Sequence, residues 1–179
     1  MTNHKVKEEI MKKNNIVLIG MPGVGKSTIG VILAKIIGYK FVDADLLIQE
    51  RENRLLKDII ETEGVDGFIQ IENDVNKSIE ADKTIIATGG SVVYGREAME
   101  HLSEIGRVVF LKLDLEHLKR RLGDIKNRGV VLKNGQTLEE LYEERTVLYE
   151  KYADIVISEQ GLSIEETVER LEEELKVAK

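Results

Sequence analysis

The sequence Gly20-Met-Pro-Gly-Val-Gly25-Lys26-Ser27 matches the pattern G-x-x-x-x-G-K-[ST] of a phosphate-binding loop at every fixed position. The apolar run Ile16–Ile19 precedes this loop, and a helical pattern over Lys26–Ile37 follows it. Strand, loop and helix therefore stand in the order that the pattern requires, which argues against a chance match. The segment predicts that the chain binds the phosphates of a nucleotide.

The residue types in this loop suit phosphate binding. Its glycines leave backbone N–H groups free to surround an anion, and the following helix N-terminus adds a partial positive charge. We expect the Lys26 side chain to be exposed in the loop and to reach the β- and γ-phosphates, while the Ser27 hydroxyl binds Mg²⁺. Pro22, the one proline of the chain, is expected to stiffen the turn.

The loop pattern alone leaves several classes of nucleotide-binding protein open: a kinase, a GTPase, a motor or a switch ATPase. The chain of 179 residues is predicted to form a single domain over residues 1–179, which leaves little room for motor modules. A GTPase would be expected to carry the guanine-reading pattern N-K-x-D, and the sequence does not contain it.

Short β-branched runs that are apolar at consecutive positions are typical of strands buried on both faces of a sheet. The chain has four or five of them: Ile16–Ile19, Tyr39–Val42, Thr84–Ala87, Arg107–Leu113 and Asp154–Ile157. Helical patterns lie between them: Lys26–Ile37, Leu46–Ile60, Gly67–Glu80, Arg96–Glu104 and Leu115–Leu122. The alternation predicts an α/β fold of three layers, in which a parallel sheet carries helices on both faces.

Two further helices are predicted from capping boxes, in which Thr137 pairs with Glu140 and Ser163 with Glu166. The last helix has an apolar stripe with the spacing of one helix face, so we expect that face to pack on the sheet. The stripe consists of Ile164, Val168, Leu171 and Leu175. Residues 123–135 hold three glycines and several charges without a strong period, and we expect a mobile loop or lid there.

The composition limits the classes of partner and of site. The 26 Lys and Arg against 33 Asp and Glu give a net charge of −7, which disfavours nucleic acid and anionic membranes as main partners. The chain has no cysteine, so disulfides and thiolate metal sites are excluded, and its three histidines are too scattered for a metal cluster. The Lys-rich N-terminus lacks the apolar stretch of a signal peptide, and no apolar run is long enough for a membrane helix. A cytoplasmic protein is expected by elimination.

The second predicted strand ends in Phe41-Val-Asp43-Ala-Asp45. Two carboxylates two residues apart at a strand end point to the same side, at the edge where open α/β sheets bind ligands. One of them would hold Mg²⁺ through water, while the other accepts a proton or hydrogen bond from a substrate hydroxyl. The alternative is that Asp45 caps the helix that starts at Leu46. The nearby phosphate loop favours the functional interpretation.

The third predicted strand runs into Thr88-Gly89-Gly90-Ser91. Paired glycines after a buried strand allow the backbone to approach a ligand, and their N–H groups can bind an anion or a hydroxyl. On these residues alone, an ordinary turn without a ligand is the better interpretation.

Taken together, the motifs resemble the shikimate kinase family, small P-loop kinases of the nucleoside-monophosphate-kinase type. In that family's order they are G-M-P-G-V-G-K-S-T, F-V-D-A-D, E-G-x-x-x-F-x-x-I-E (Glu63–Glu72), A-T-G-G (Ala87–Gly90) and R-x-x-L-Y (Arg145–Tyr149). Each motif is modest, but the ordered set is very specific and covers about residues 14 to 175. The resemblance implies a three-layer P-loop kinase with a central five-stranded parallel sheet, an N-terminal extension over residues 1–13 and a mobile lid.

On the nucleotide side, the resemblance implies ATP and Mg²⁺ as cofactors. Ser27 would bind the metal, Asp43 would hold its hydration shell, Arg121 would stack on adenine and Arg128 would close from the lid over the phosphates. ATP would also contact the loop itself, which consists of Gly20, Met21, Pro22, Gly23, Val24, Gly25, Lys26, Ser27 and Thr28. Lys26, Asp45 and Arg128 would be the catalytic residues.

On the acceptor side, the resemblance implies a small-molecule substrate and a monomeric enzyme. Asp45 would grip the attacking hydroxyl, Gly89 and Gly90 would contact the substrate, and Arg145 would be one of two arginines that clamp the shikimate carboxylate. Without the resemblance, pairing with nearby glutamates on a helix surface would be the better explanation of Arg121 and Arg145.

The chain departs from the family's pattern on the acceptor side and in the lid. Phe68 is followed by Ile69 where the family has F-R, so the first carboxylate-clamping arginine is missing, and no arginine lies from Glu72 through Gly95 to replace it. The third glycine of G-G-G is Ser91, and the lid reads Arg128-Gly129-Val130-Val131 instead of R-P-L-L. We expect Ile69 to make one side of the acceptor site apolar.

These features favour ATP-dependent phosphorylation of a hydroxyl on a small metabolite, with shikimate, converted to shikimate 3-phosphate in aromatic amino acid biosynthesis, as the first candidate. A shikimate-kinase-like enzyme that acts on another polyol or hydroxy acid is the second candidate. The third is an ATP-binding regulatory or partner-binding protein without transfer activity. Ile69 favours the second and third hypotheses, whereas Asp43, Asp45 and Arg145 favour the first two.

Overall fold

The computed structural model describes residues 13–123 and 130–177 of the chain. Its five strands are β1 (Asn15–Ile19), β2 (Lys40–Asp43), β3 (Thr84–Ala87), β4 (Gly106–Lys112) and β5 (Ile155–Ser158). Its helices are α1 (Lys26–Ile37), α2 (Ala44–Glu52), α3 (Leu56–Lys77), α4 (Arg96–Ile105), α5 (Leu115–Leu122), α6 (Leu138–Tyr152) and α7 (Ile164–Val177). A short 3₁₀ helix spans Val92–Tyr94.

The strands form one parallel sheet in the order β2-β3-β1-β4-β5, with helices on both faces. All residues of β1 and β3 are buried, as consecutive apolar positions predict for strands covered on both sides. In the register of the sheet, Leu18 of β1 is opposite Ala87 of β3 and Val109 of β4. The predicted three-layer α/β fold is confirmed, and the ends of the five strands differ from the prediction by at most one residue.

The predicted helix Leu46–Ile60 is wrong, because the chain breaks there into α2 and α3. Asn53 ends α2 in the left-handed conformation, with φ 51°, which asparagine tolerates better than most residues. The Gln49 side chain then accepts a hydrogen bond from the Leu56 backbone N–H at 3.1 Å and so serves the start of α3. The predicted helix Gly67–Glu80 is likewise only the second half of α3, which runs on through a non-helical residue at Gly64 (φ 72°).

Both predicted capping boxes are present. The Thr137 hydroxyl accepts from the Glu140 backbone N–H at 3.1 Å, and the Glu140 carboxylate accepts from the Thr137 N–H at 3.0 Å. The second box, Ser163 with Glu166, has the same reciprocal bonds. In the apolar stripe of α7, three members join the core (Val168, Leu171 and Leu175), whereas Ile164 at the helix start is exposed.

The topology brings three loops to one edge of the sheet. The phosphate loop follows β1, Asp43 and Asp45 stand at the end of β2 and the start of α2, and Thr88–Ser91 follows β3. Because parallel strands end at the same edge, segments far apart in sequence meet there, next to the switch in strand order around β1. Among the described residues, no helix is long and apolar enough to cross a membrane.

Candidate active site

The phosphate loop has the backbone conformation that its glycines predict. Gly23 and Gly25 have φ of 88° and 93°, which L-residues with side chains rarely adopt. Gly20 also packs closely, since a Cβ at this position would lie 2.6 Å from the Leu111 carbonyl oxygen. The loop passes directly into α1, so its N–H groups and the helix N-terminus face the same region.

Lys26 is buried, with 8% of its surface exposed, so the expectation of an exposed side chain was wrong. The reason is that the loop folds around the ammonium group: Nζ donates to the carbonyl oxygens of Gly20 at 2.7 Å and Met21 at 2.9 Å. Burial lowers the pKa of Lys26 to about 8, although the charge of Asp45 opposes the shift. The ammonium is therefore charged at neutral pH and fixed by the loop's own backbone.

Asp43 links the phosphate loop to the end of β2. Its Oδ2 accepts from the Ser27 hydroxyl at 2.6 Å, and its Oδ1 accepts from the Asp45 backbone N–H at 3.0 Å. Asp43 is thus the N-cap of α2, and the alternative that Asp45 caps this helix was wrong. A hydroxyl and a carboxylate side by side at the phosphate loop are the hard oxygen donors that Mg²⁺ prefers, so these residues fit the metal.

Asp45 lies in the first turn of α2 and lines a cavity of about 320 Å³ in front of the phosphate loop. Burial and the negative charge of Asp43 raise the pKa of Asp45 to about 6, while Lys26 acts in the opposite direction. The carboxylate is therefore mostly ionised at pH 7, with a pKa close enough to neutrality for a proton acceptor.

Gly89 and Gly90 form the part of the cavity wall that follows β3. A Cβ on Gly89 would lie 2.7 Å from Asp45 Oδ1, and one on Gly90 would lie 2.7 Å from Pro22 Cδ and 2.9 Å from Arg145 Nη1. These contacts leave no space for a side chain at either position. Close approach of the backbone to the site, and not only a turn, explains the two glycines.

Arg145 is buried, with 1% of its surface exposed, so the alternative of an ion pair on a helix surface was wrong for this residue. Its Nη2 donates to the Val131 carbonyl at 2.9 Å, and its guanidinium carbon lies 5.4 Å from the centre of the Tyr94 ring. Nε and Nη1 have no hydrogen-bond partner among the described residues. The side chain thus offers unpaired donors at the cavity.

Glu72, Ser91 and Tyr149 were not assigned a role from the sequence. Glu72 lines the cavity from α3 with 1% of its surface exposed, and its Oε2 accepts from the Ser91 hydroxyl at 2.5 Å. Tyr149 donates to the Gly90 carbonyl at 2.6 Å, and burial raises the pKa of its phenol. For Glu72, one feature of the sequence indicated a buried side chain: it stands four residues after Phe68, on the apolar face of its helix.

Of the two arginines expected on the nucleotide side, Arg121 lies within the described residues and Arg128 does not. Arg121 lies against the phosphate loop, where its Nη1 donates to the carbonyl oxygens of Gly23 at 3.5 Å and Val24 at 3.3 Å. Arg128 and most of the predicted lid, residues 124–129, lie outside the described residues. The residues that follow, Val130 and Val131, are buried and line the cavity.

The cavity has an apolar wall, but Ile69 is not among the described residues that line it. The wall consists of Leu56, Phe68, Val130 and Val131. The expectation that Ile69 itself makes one side of the acceptor site apolar was therefore wrong, because its neighbour Phe68 turns toward the cavity instead.

The comparisons with known proteins agree with this geometry. The shikimate kinase family matches residues 22–176 of the chain. A shikimate kinase of Clostridium botulinum (strain Langeland) is 40% identical over 146 residues, which cover 79% of this chain and 86% of that protein. The structure of the Acinetobacter baumannii shikimate kinase in complex with shikimate has a TM-score of 0.84 and 28% identity, covering 96% of this chain and 98% of that one.

The Aquifex aeolicus shikimate kinase has a TM-score of 0.76 and 29% identity, and the alignment covers 92% of this chain and 97% of that one. Sequence and fold thus agree over nearly the whole length of the described residues. This chain belongs to the shikimate kinase family.

Proposed function

We propose that the chain transfers the γ-phosphoryl group of ATP to a hydroxyl of shikimate. The observation that carries the proposal is the position of Asp45: its carboxylate lines the same cavity as Lys26 of the phosphate loop and as the unpaired donors of Arg145. A hydroxyl that binds Asp45 is therefore held between the nucleotide side and a cation that can bind a carboxylate. The structural similarity to a shikimate kinase in complex with shikimate supports this acceptor.

The nucleotide side binds ATP through the backbone N–H groups of the phosphate loop and through Lys26. As the ammonium group moves from the Gly20 and Met21 carbonyls to the phosphates, it exchanges neutral acceptors for charged ones. Ser27 and Asp43 would hold Mg²⁺, which would supply neutralisation of charge on the transferred group. Arg121, next to the loop, stacks on the adenine, and the role expected of Arg128 falls outside the described residues.

On the acceptor side, Asp45 accepts a hydrogen bond from the attacking hydroxyl and takes its proton as the oxygen attacks the γ-phosphorus. The N–H groups of Gly89 and Gly90 and the guanidinium of Arg145 orient the substrate, with Arg145 on the carboxylate. Phosphoryl transfer depends mainly on such positioning and on charge neutralisation, which these residues supply without covalent chemistry.

The test is the release of ADP from ATP and Mg²⁺ in the presence of shikimate, with the phosphorylated product identified by mass spectrometry. The expected result is shikimate-dependent ADP release that Asp45→Asn reduces and Asp66→Asn does not. Asp66 is an exposed carboxylate on α3 and serves as the matched control. Shikimate-independent ADP release, or none, would contradict the assignment.

A second acceptor class is favoured by a specific observation. Arg145 is the one arginine that lines the cavity among the described residues, and four apolar side chains form a wall beside it. A hydroxy acid or polyol with fewer anionic groups than a two-arginine clamp requires would fit this surface. Parallel assays with such acceptors decide between the classes, and the absence of ADP release with all of them would favour a regulatory ATP-binding protein.

A further inference from the structure

We propose that Ser91 is a positioning residue of the acceptor site: its hydroxyl fixes the Glu72 carboxyl so that Oε1 faces the acceptor and binds a second hydroxyl of it. This inference rests on the proposed function, since it concerns the same acceptor that Asp45 holds. It goes further by assigning a second contact to the site and naming the residue that orients it.

The geometry at Glu72 indicates a ligand-binding group. The Ser91 hydroxyl donates to Oε2 at 2.5 Å, and the two side chains, 3% and 1% exposed, both line the cavity. Oε1 is buried and has no hydrogen-bond partner among the described residues. A buried polar atom without a partner is costly, and a ligand that supplies the missing bond removes this cost.

The free oxygen of Glu72 points to the same place as the catalytic carboxylate. A Cβ placed on Gly89 would lie 2.5 Å from Glu72 Oε1 and 2.7 Å from Asp45 Oδ1, so the two oxygens converge over this glycine. When Asp45 holds the attacking hydroxyl, Glu72 is in position for a hydroxyl on a neighbouring carbon. The pair therefore selects acceptors that carry two adjacent hydroxyl groups.

Ser91 and Ile69, the two departures from the family's pattern on the acceptor side, affect the same carboxyl group. Ile69 stands three residues before Glu72 on α3, one helix turn away, where a long basic side chain would reach the carboxyl. Isoleucine has no donor to offer. Ser91 replaces the third glycine of the pattern and supplies a donor from the opposite side. The serine hydroxyl therefore gives Glu72 a fixed hydrogen-bond donor at a site where no basic side chain is present on its own helix turn.

The pKa of the Glu72 carboxyl depends on the charged groups around it and on the Ser91 hydrogen bond. Asp45 of α2, Arg145 of α6 and Lys26 at the start of α1 face the carboxyl. Burial raises the pKa of Glu72 to about 8, and the Ser91 hydrogen bond, Arg145 and Lys26 partly offset this. Without the Ser91 hydroxyl, the pKa of Glu72 should rise further, because a bond that favours the ionised form is lost.

The first test compares Ser91→Gly with Ser78→Ala, a matched control in which an exposed serine at the end of the same helix α3 is changed. Ser91→Gly should raise the KM for shikimate about tenfold and leave the KM for ATP within about twofold. Ser91→Thr, which keeps the hydroxyl, should restore the shikimate KM. In the Ser91→Gly background, Ile69→Arg should lower the shikimate KM by a larger factor than it does in the parent chain. An unchanged shikimate KM in Ser91→Gly overturns the proposal.

The second test needs no acceptor. The ¹³C signal of the Glu72 carboxyl is followed against pH in the parent, in Ser91→Gly and in Ser91→Thr, with assignment by Glu72→Gln. The expected result is titration near pH 8 in the parent and at a higher pH in Ser91→Gly only. Equal titration in all three forms overturns the proposal. If the parent does not phosphorylate shikimate, the proposed function fails, and this titration still decides whether Ser91 controls Glu72.

Discussion

The nucleotide side and the acceptor side of the cavity are built in different ways. The nucleotide side is made by eight consecutive residues, Gly20–Ser27, whose backbone conformation fixes both the N–H groups and the position of the Lys26 ammonium. The acceptor side is made by single side chains from separate elements: Asp45 from α2, Glu72 from α3 and Arg145 from α6. One side is a continuous segment, whereas the other exists only after folding.

The difference explains where the chain departs from its family's pattern. A change in the phosphate loop would disturb several backbone contacts at once, and the loop matches its pattern at each fixed position. Ile69 and Ser91 alter individual contacts on the acceptor side and leave the sheet and the loop intact. Acceptor preference can therefore change while the machinery for ATP remains the same, and four measurements test this separation.

The largest effect is expected from Lys26→Ala on the nucleotide side. Loss of the ammonium should reduce ADP release by roughly 10³-fold or more, since the charge that stabilises the transferred phosphoryl group is removed. The cooperative thermal transition should remain, because the Gly20 and Met21 carbonyls that Lys26 binds lie in a loop outside the sheet. Steady-state kinetics and thermal denaturation measure both quantities.

Lys35→Ala is the matched control for this variant, because Lys35 is an exposed lysine of the same helix α1. Its activity should equal that of the parent. Loss of the thermal transition in Lys26→Ala would show that the side chain is structural, and would contradict its role in transfer.

Asp45→Asn should lower kcat by about 10²-fold or more, as expected for the loss of a positioned proton acceptor. The KM for ATP should hardly change, because Asp45 lies on the acceptor side. The variant should also unfold no more easily at pH 7: burial and Asp43 raise the pKa of Asp45, so the ionised form costs stability there. An unchanged kcat would contradict the proposed role of Asp45.

The two sides also differ in how far the sequence could predict them. The phosphate loop, α1 and the strands follow from local patterns, because their apolar runs and glycine positions are contiguous. The break at Asn53 was missed because the apolar spacing continues across it. The Gln49 side chain accepts from the Leu56 N–H at the start of α3, a contact that no sequence pattern marks. Local periodicity reports which face is apolar and does not report where a helix is interrupted.

The acceptor side depends on contacts between residues that are distant in sequence. The Ser91–Glu72 hydrogen bond joins residues 19 apart, and the bond from Tyr149 to Gly90 joins residues 59 apart. Burial of the Glu72 carboxyl is decided by such packing. The Lys26 ammonium is instead buried by the Gly20 and Met21 carbonyls of its own loop, a backbone geometry that the sequence motif does not show, so the expectation of an exposed Lys26 was wrong. Asp45 was singled out from its place at the end of a strand beside the phosphate loop. The role proposed for Arg145 came only from the resemblance to a family, because local chemistry favoured a surface ion pair.

A smaller effect is expected from Ile69→Arg in the parent chain. A single guanidinium should hold a carboxylate about 10- to 10³-fold more weakly than a two-arginine clamp, which corresponds to roughly 1.4–4 kcal/mol. The variant should therefore recover much of this loss in the KM for shikimate, without an effect on the KM for ATP. Ile69→Gln, polar but uncharged, is the control and should recover none of it. Tight shikimate binding by the parent would mean that another residue supplies the second charge.

The smallest effects are expected from pH, and they should separate the two sides. At saturating ATP, kcat/KM for shikimate should fall about fourfold from pH 7 to 5.5, because Asp45, with a pKa of about 6, must be ionised to accept the proton. At saturating shikimate, kcat/KM for ATP should be flat over this range and fall about fourfold from pH 7 to 8.5, because Lys26, with a pKa of about 8, loses its charge. Each kcat/KM ratio depends on the ionisation of groups in the enzyme before the varied substrate binds. The acidic fall therefore reports Asp45 on the acceptor side, and the basic fall reports Lys26 on the nucleotide side. Initial rates at varied substrate concentration across this pH range measure the two profiles. If kcat/KM for ATP fell from pH 7 to 5.5 as much as kcat/KM for shikimate does, the two sides of the cavity would titrate as one site. The nucleotide and acceptor sides would then not be independent of each other.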